Sequence, residues 1–575
     1  MENKKQTFKI TVVGMTCDGC ARHVEKELSK IGAEAQIANW QSGEGIVNFS
    51  ADVEQAKKEF TKALKNTRYK VKEVHPLEPE LERKNKIENF SQDSHKTDAD
   101  LIVIGTGGAG MAAAIEAANQ GRNVIIIEKE SRIGGTCVNV GCVPSKEFVH
   151  FARKIHAAKN VPLNGVQIET KIQLDYPKVV EARKKLVAHL RTEKYEDVLK
   201  AYPNIRLIKG TASFEKSSSG LSVKITQGDQ EEGITAKKAI IATGSRPHIP
   251  DIRGLKEANP LNSTDLLFLE KLPKSLVILG GGFIALELGQ AFARVGTQVT
   301  ILARSRLLSK WDADISNTIK EAFAQEGIKV FEQVQIDEVK RNPNVVIKGT
   351  SQAKNIALKA EEILVATGRK ANTKHLNLDQ VGVETHPKTG SILVNEYGLT
   401  TNLNIAAAGD CTQHAKLVYL AAKAGKLAAQ NLFLPSNDQK RLDLSIVPEV
   451  IFTEPELARV GLSEQEALAK NINIQVSKFP LSALPKAIAS RNTLGFIKII
   501  ADANSGQILG SQIISPRAGE LIHTVALAMR LSKKAGYTIQ DLREELFAYL
   551  TEAEGIKLAA QTFSMDVSKL SCCAG

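Results

Sequence analysis

Hydrophobic positions change their period several times along the chain, and each change marks an element. Phe8, Ile10 and Val12 alternate with polar neighbours, which predicts a half-buried strand over Phe8–Val13. Apolar spacings of three and four predict a helix over Arg22–Ile31. Two short strands, Ala35–Trp40 and Gly45–Phe49, follow around a Ser42-Gly43 turn, then a helix over Val53–Leu64 and a strand over Tyr69–Val74. The succession βαββαβ across residues 1–75 is that of a ferredoxin-like fold. Residues 76–98 carry Pro76, Pro79 and dense mixed charge with few apolar positions, the composition of a linker.

At Asp100 the texture changes. Leu101-Ile102-Val103-Ile104 is apolar without alternation, as expected of a parallel strand covered on both faces. The turn Gly105-Thr106-Gly107-Gly108-Ala109-Gly110 follows, then an Ala-rich helix over Met111–Gln120 and a strand over Val124–Ile127 that ends at Glu128. The same order recurs with the strand Leu276–Leu279, the turn Gly280-Gly281-Gly282-Phe283-Ile284-Ala285, a helix, and the strand Val299–Leu302. From about residue 444 strands and helices mix. The fold class expected is α/β: two Rossmann-like dinucleotide-binding units and an α+β C-terminal region, preceded by the ferredoxin-like unit.

Composition narrows the function. With 575 residues, 43% hydrophobic and 24% charged, the chain has room for several folded domains. Its formal charge is +12, but Lys and Arg are interleaved with acids, so the excess predicts a solvated surface and no nucleic-acid partner. The polar opening leads into no apolar signal region, and no apolar run approaches the ~18 residues of a membrane span. A cytoplasmic protein is expected. Of the seven cysteines, six form close pairs: Cys17 with Cys20, Cys137 with Cys142, and Cys572 with Cys573. In a reducing compartment such pairs are metal ligands or redox couples more often than staples.

Each glycine turn follows a strand and opens a helix, the context in which backbone N–H groups hold a pyrophosphate. In the first, Gly105, Gly107 and Gly110 make the turn and Glu128 can accept hydrogen bonds from an adenosine ribose. The second keeps Gly280, Gly282 and Ala285, but Ala303 replaces the acid, with Arg304 and Arg306 after it. Arginines there receive a 2′-phosphate, which predicts NADPH over NADH. Between the turns, Gly134-Gly135-Thr136-Cys137-Val138-Asn139-Val140-Gly141-Cys142 places two thiols at the start of a helix, where a thiolate is stabilised.

From about residue 99 to its end the chain resembles the flavin-dependent pyridine-nucleotide disulfide oxidoreductases. The resemblance takes in that cysteine segment through Lys146, Ala239-Ile-Ile-Ala-Thr-Gly244, Leu364-Val-Ala-Thr-Gly-Arg369, Ala406-Ala-Ala-Gly-Asp-Cys411 and Val450-Ile-Phe-Thr-Glu-Pro-Glu456. It implies an FAD-binding domain in two parts, 99–246 and 371–443, around an NADPH-binding domain, 247–370, with a dimerisation domain over 444–575. Gly135, Thr136, Thr243, Gly244, Gly368 and Asp410 would help hold the cofactors, Asp410 at the flavin ribityl chain. Cys142 would be the thiolate against the flavin, Cys137 the interchange thiol, and Lys146, paired with Glu287, would lie beside the flavin. Cys411, lacking a close cysteine partner, is expected to be a buried apolar residue.

Members that reduce organic disulfides carry a His-x-x-x-x-Glu dyad near the C-terminus. Here Glu554 keeps the glutamate but Tyr549 takes the histidine position, and a phenol with a pKa near ~10 is a poor base at neutral pH. The pair Cys572 and Cys573 supplies soft ligands in its place, suited to a thiophilic ion such as Hg(II). The ending from Gly555 resembles the mercury-reducing branch of the family, which implies reduction of thiol-bound Hg(II) to volatile Hg(0), a homodimer, and mercury-donating thiols or transport proteins as partners. Gly14-Met15-Thr16-Cys17-Asp18-Gly19-Cys20 resembles the heavy-metal-associated domain, which would collect the ion; a thioredoxin-like redox motif is the alternative there. Two other readings stay open: a disulfide reductase with a metal-binding appendage, and a metal-sequestering protein with a vestigial flavoprotein core. Phe283 stands where members of that branch often carry a second tyrosine.

Overall fold

The computed structural model describes residues 6–15, 18–39, 43–77, 97–159, 172–217 and 220–569. These fall into two compact units, residues 1–96 and 97–575.

In the first unit the strand Gln6–Val13 is central in an antiparallel sheet, between Glu44–Phe49 and Lys70–Leu77, with Glu34–Asn39 at one edge. Phe8, Ile10 and Val12 turn one face to the helices, where Val24, Leu28 and Phe60 are buried with them. The first helix runs Asp18–Ser29, starting and ending before the apolar spacing predicts; at its end Ile31 and Gly32 close a turn onto Leu28 and Ser29. Asp52 caps the second helix, Val53–Ala63, by accepting from the Gln55 N–H at 2.9 Å. The last strand continues through Pro76 to Leu77. It is an edge strand, where a proline lacking its N–H is tolerated.

The second unit is built on three larger sheets, with an antiparallel trio and a two-stranded ribbon, Ser245–Pro247 with Arg369–Ala371, beside them. In the first, Ala99–Ile104 pairs in parallel with Val124–Glu128 and Gln230–Ile241, and Ile405–Ala407 returns from far along the chain to extend it. The second is fully parallel, in the order Lys329–Phe331, Gln298–Leu302, Ser275–Leu279, Glu362–Val365. An antiparallel trio, Val334–Arg341, Val345–Ser351 and Lys354–Ala360, shares a core with it. The third sheet is antiparallel with five strands, Phe496–Asp502 and Ile508–Ser515 being central, and the helix Ala518–Ala535 packs on it.

After the first glycine turn the helix runs Gly108–Asn119, not Met111–Gln120. Gly107 takes the extended N-cap conformation, so the last glycines of the turn already belong to the helix. Among the described residues no helix is long and apolar enough to cross a membrane.

Candidate active site

The first turn is shaped by what glycine lacks. Gly105 has φ +107°, and a Cβ there would lie 2.5 Å from the Ala242 carbonyl oxygen. A Cβ on Gly110 would lie 1.9 Å from the Gly105 carbonyl oxygen, so helix and strand approach at glycine distance only. Glu128 is buried at the tip of the next strand. Its Oε2 accepts from the Thr106 N–H at 3.0 Å and the Thr106 hydroxyl at 2.5 Å, and its Oε1 from the Glu130 N–H at 2.9 Å. The Thr106 hydroxyl in turn accepts from the Gly134 N–H at 3.0 Å, tying the turn to the cysteine segment. Gly135 lies over Gly107, where a Cβ would be 2.7 Å from the facing Cα. Across the site, Asp410 accepts from the Ser245 hydroxyl at 2.7 Å, and Arg369 Nε donates to the same hydroxyl oxygen at 2.7 Å. Thr243 spends its hydroxyl on the Asn372 carbonyl, while Gly244 and Gly368 adopt positive φ.

Cys137 sits in the short helix Gly135–Val140, and Gly141 breaks the helix so that Cys142 opens the next one, Cys142–Lys159. Both are half-buried free thiols. The Cys137 S–H donates to Cys142, which with the nearby Lys146 ammonium brings the Cys142 thiol down to about 7. Cys137 moves the opposite way, because it gives its proton to that bond, is desolvated and faces a thiolate. Lys146 lies one turn beyond Cys142. Its Nζ is 2.6 Å from Glu287 Oε2 and 4.9 Å from the centre of the Phe452 ring. Glu287 is buried, and its Oε1 accepts from the Phe452 N–H at 3.0 Å. The predicted Lys146–Glu287 pair is therefore present, and it joins three parts of the unit.

The second turn repeats the first. Gly280 has φ +134°, with a Cβ position 2.3 Å from the Ala366 carbonyl oxygen, and Gly282 caps the helix Phe283–Arg294, in which Ala285 is buried. Ala303 packs against Gly281; a Cβ on that glycine would be 2.9 Å from the alanine methyl. Arg304 is exposed. Arg306 is half-buried, its Nη2 donating to the Trp311 carbonyl at 2.7 Å, while its Nη1 is buried without a partner. Phe283 meets Trp311 edge-on at 6.1 Å. One cavity of about 2100 Å³ joins both turns to Cys137, Cys142, Lys146, Asp410 and Phe283. The residues fit two dinucleotides: each turn opens a helix at the cavity, its N-cap glycine, Gly107 or Gly282, having room where a Cβ would stand, and Arg306 holds an unpartnered buried donor beside the second.

Outside this cavity, Tyr549 is 58% exposed. Glu554 begins the helix Glu554–Gln561 with a buried oxygen lacking a partner, and burial pushes its carboxyl upward. Sequence reasoning missed Glu552, whose carboxyl is raised in the same way. It also missed Thr106, Ser245 and Phe452, and Arg68, whose Nη2 donates to buried Cys20 at 2.8 Å. Cys17, Cys572 and Cys573 lie outside the described residues. Cys411 is fully buried, which pushes its thiol up to about 11 and suits it to packing.

Residues 99–425 match the family described as pyridine nucleotide-disulphide oxidoreductase, and residues 447–560 match its dimerisation domain. The flavoprotein disulfide reductase RclA of Escherichia coli superposes with a TM-score of 0.69 at 28% identity, covering 80% of this chain and 98% of its own. The mercuric reductase of Streptomyces lividans is 40% identical over 83% of this chain and 99% of its own length. That of Lysinibacillus sphaericus is 40% identical over 99% of this chain and 100% of its own. Sharing that likeness along both units, the chain belongs to the mercuric reductases, within the pyridine nucleotide-disulphide oxidoreductase family.

Proposed function

We infer that the chain reduces Hg(II) to Hg(0) with electrons from NADPH, by way of FAD and the Cys137–Cys142 pair, and so detoxifies mercury. The observation that carries this is the full-length likeness to mercuric reductases. The tyrosine at position 549 supports it, since a conventional disulfide reductase would need a base there. When bound, FAD and NADPH supply two electrons. Gly105, Gly107, Gly110, Glu128, Gly135, Thr136, Thr243, Gly244 and Asp410 would hold the first; Gly280, Gly282, Ala285, Arg304, Arg306 and Gly368 the second.

The protein's own part is ligand exchange and proton management. Hg(II) arrives on two thiolates. The Cys142 thiolate, already populated near pH 7, bonds to the metal and displaces one of them. With that negative charge committed to mercury, nothing holds the Cys137 proton, which passes to the departing thiolate. Cys137 then takes the second linear position. Lys146 and Glu287 fix the charge around the pair. Two electrons reach the metal, both S–Hg bonds open, Hg(0) leaves and the cysteines recover protons. In balance, NADPH, one proton and a bis-thiolate Hg(II) give NADP⁺, Hg(0) and two thiols.

Upstream, Cys572 and Cys573 collect Hg(II) and Tyr549 with Glu554 orients the hand-off, with the tail serving the partner subunit of a homodimer. Cys17 and Cys20 gather the ion from small thiols or transport proteins. The Streptomyces relative spans a share of this chain about that of residues 97–575, which supports turnover without the first unit.

The test is NADPH oxidation with Hg(II) and excess small thiol, mercury vapour being trapped from the headspace. Vapour should match NADPH consumed and vanish with Cys142→Ala. Because the similar RclA is named a flavoprotein disulfide reductase, glutathione disulfide and lipoamide run alongside; turnover of either without vapour overturns the reading.

A further inference from the structure

Lys498 occupies the middle of the strand Phe496–Asp502, where it is 3% exposed. Carboxylates ring its ammonium: Asp314 Oδ2 at 2.7 Å, Asp312 Oδ2 at 3.3 Å and Glu464 Oε2 at 3.4 Å. A buried ammonium is stable only when so compensated, and the partnership fixes both sides. Two of these acids come from the nucleotide domain, Asp312 lying 186 positions away as the N-cap of the helix Ala313–Gln325. The Asp312 N–H also donates to Gln512 Oε1 at 3.1 Å.

The tether continues backward along the chain. Trp311 is buried beneath the Arg459 guanidinium, 5.3 Å from the ring centre, and Arg459 Nη1 donates to the Lys310 carbonyl at 3.0 Å. Three consecutive residues, Lys310, Trp311 and Asp312, are thus held from the antiparallel domain. On its other side this segment holds Arg306, whose Nη2 donates to the carbonyls of Trp311 and Ser309 and whose Nη1 is left buried and unpartnered beside the cavity.

We propose that Lys498 is a positioning residue for dinucleotide selectivity: through Asp312 and Asp314 it holds the segment 304–311 so that Arg306 meets the 2′-phosphate of NADPH. This rests on the reading of the second turn as the NADPH site. The pyrophosphate is held by the glycine turn, which NADPH and NADH share, so loosening the segment removes only the bonds that distinguish them.

The test uses the FAD-loaded parent with Lys498→Met and the milder Asp314→Asn, which takes the charge from the shortest contact while Asp312 and Glu464 still compensate the ammonium. Affinity for 2′,5′-ADP is measured by titration calorimetry, and kcat/KM with NADPH and with NADH. In Lys498→Met the 2′,5′-ADP affinity and the NADPH/NADH ratio both fall about tenfold, the scale of one lost charge-assisted hydrogen bond. In Asp314→Asn both fall about threefold, and kcat with NADH is kept in either variant. If Lys498→Met does not fold, the Asp314→Asn result decides. Unchanged 2′,5′-ADP affinity, or equal losses with both dinucleotides, overturns the role of Lys498 alone. A parent that does not prefer NADPH overturns the site reading and this role together.

Discussion

Cys137→Ala isolates the strongest influence on the reactive thiol. In the parent the Cys142 thiolate accepts the Cys137 S–H, the largest of the effects that bring it to about 7; Lys146 acts in the same direction, burial and Glu287 against it. A hydrogen bond to a charged group contributes about 1.5–3 kcal/mol, and each pKa unit corresponds to ~1.4 kcal/mol. Removing the donor while keeping Lys146 should therefore raise Cys142 by about one to two units, to between ~8 and ~9. The sign follows from the charge: loss of a donor penalises the thiolate only, so more alkali is needed to form it. The assay is iodoacetamide labelling across a pH series, with the Cys142 peptide quantified by mass spectrometry, which separates it from the other thiols. The midpoint is the readout, because a more basic thiolate is intrinsically faster but less populated, so the rate at any single pH mixes the two effects. A midpoint that stays at about 7 or falls would refute this account and assign the activation to Lys146 and the helix N-terminus.

Gly110→Ala places a methyl 1.9 Å from the Gly105 carbonyl oxygen; overpacking of this kind costs about 1–3 kcal/mol, so FAD content and Tm should both drop, and full flavin loading at the parental Tm contradicts the cradle. Arg306→Ala should raise KM for NADPH about tenfold and leave NADH unaffected, checked by steady-state kinetics with both donors. Tyr549→Phe should slow mercury turnover roughly tenfold, the scale of one lost hydrogen bond to a charged group, while NADPH still reduces the enzyme at the parental rate in stopped flow; an unchanged kcat removes the hydroxyl from the hand-off.

The two glycine turns were legible because strand, turn and helix are adjacent in sequence; the carbonyls of Ala242 and Ala366 that demand glycine at positions 105 and 280 come from far along the chain and were not. The Lys146–Glu287 pair was legible only through the family resemblance, since the partners are far apart in sequence. Lys498 was not legible at all. In Phe496-Ile497-Lys498-Ile499-Ile500 a single lysine reads as the solvent side of an alternating strand, yet it is buried, because the acids that neutralise it arrive from a distant segment. Helix starts were displaced for a related reason. Apolar periodicity reports the face that packs, whereas the first turn is set by caps such as Gly107, which carry no apolar signal. Glu552 was passed over because nothing in its neighbours announces that its oxygen is buried.

Glu287 joins the redox helix to the helix of the second turn and to the backbone at Phe452. Arg153 reaches Glu456, Arg294 reaches Glu454 and Lys498 reaches Asp312 in the same manner. Ties this numerous between the nucleotide-binding sheets and the antiparallel sheet leave no layer of residues 97–575 able to melt without exposing charges matched by another. Heat should therefore be absorbed in a single endotherm for that unit, so that damage at the mercury-reducing centre registers as lost stability in sheets far from it.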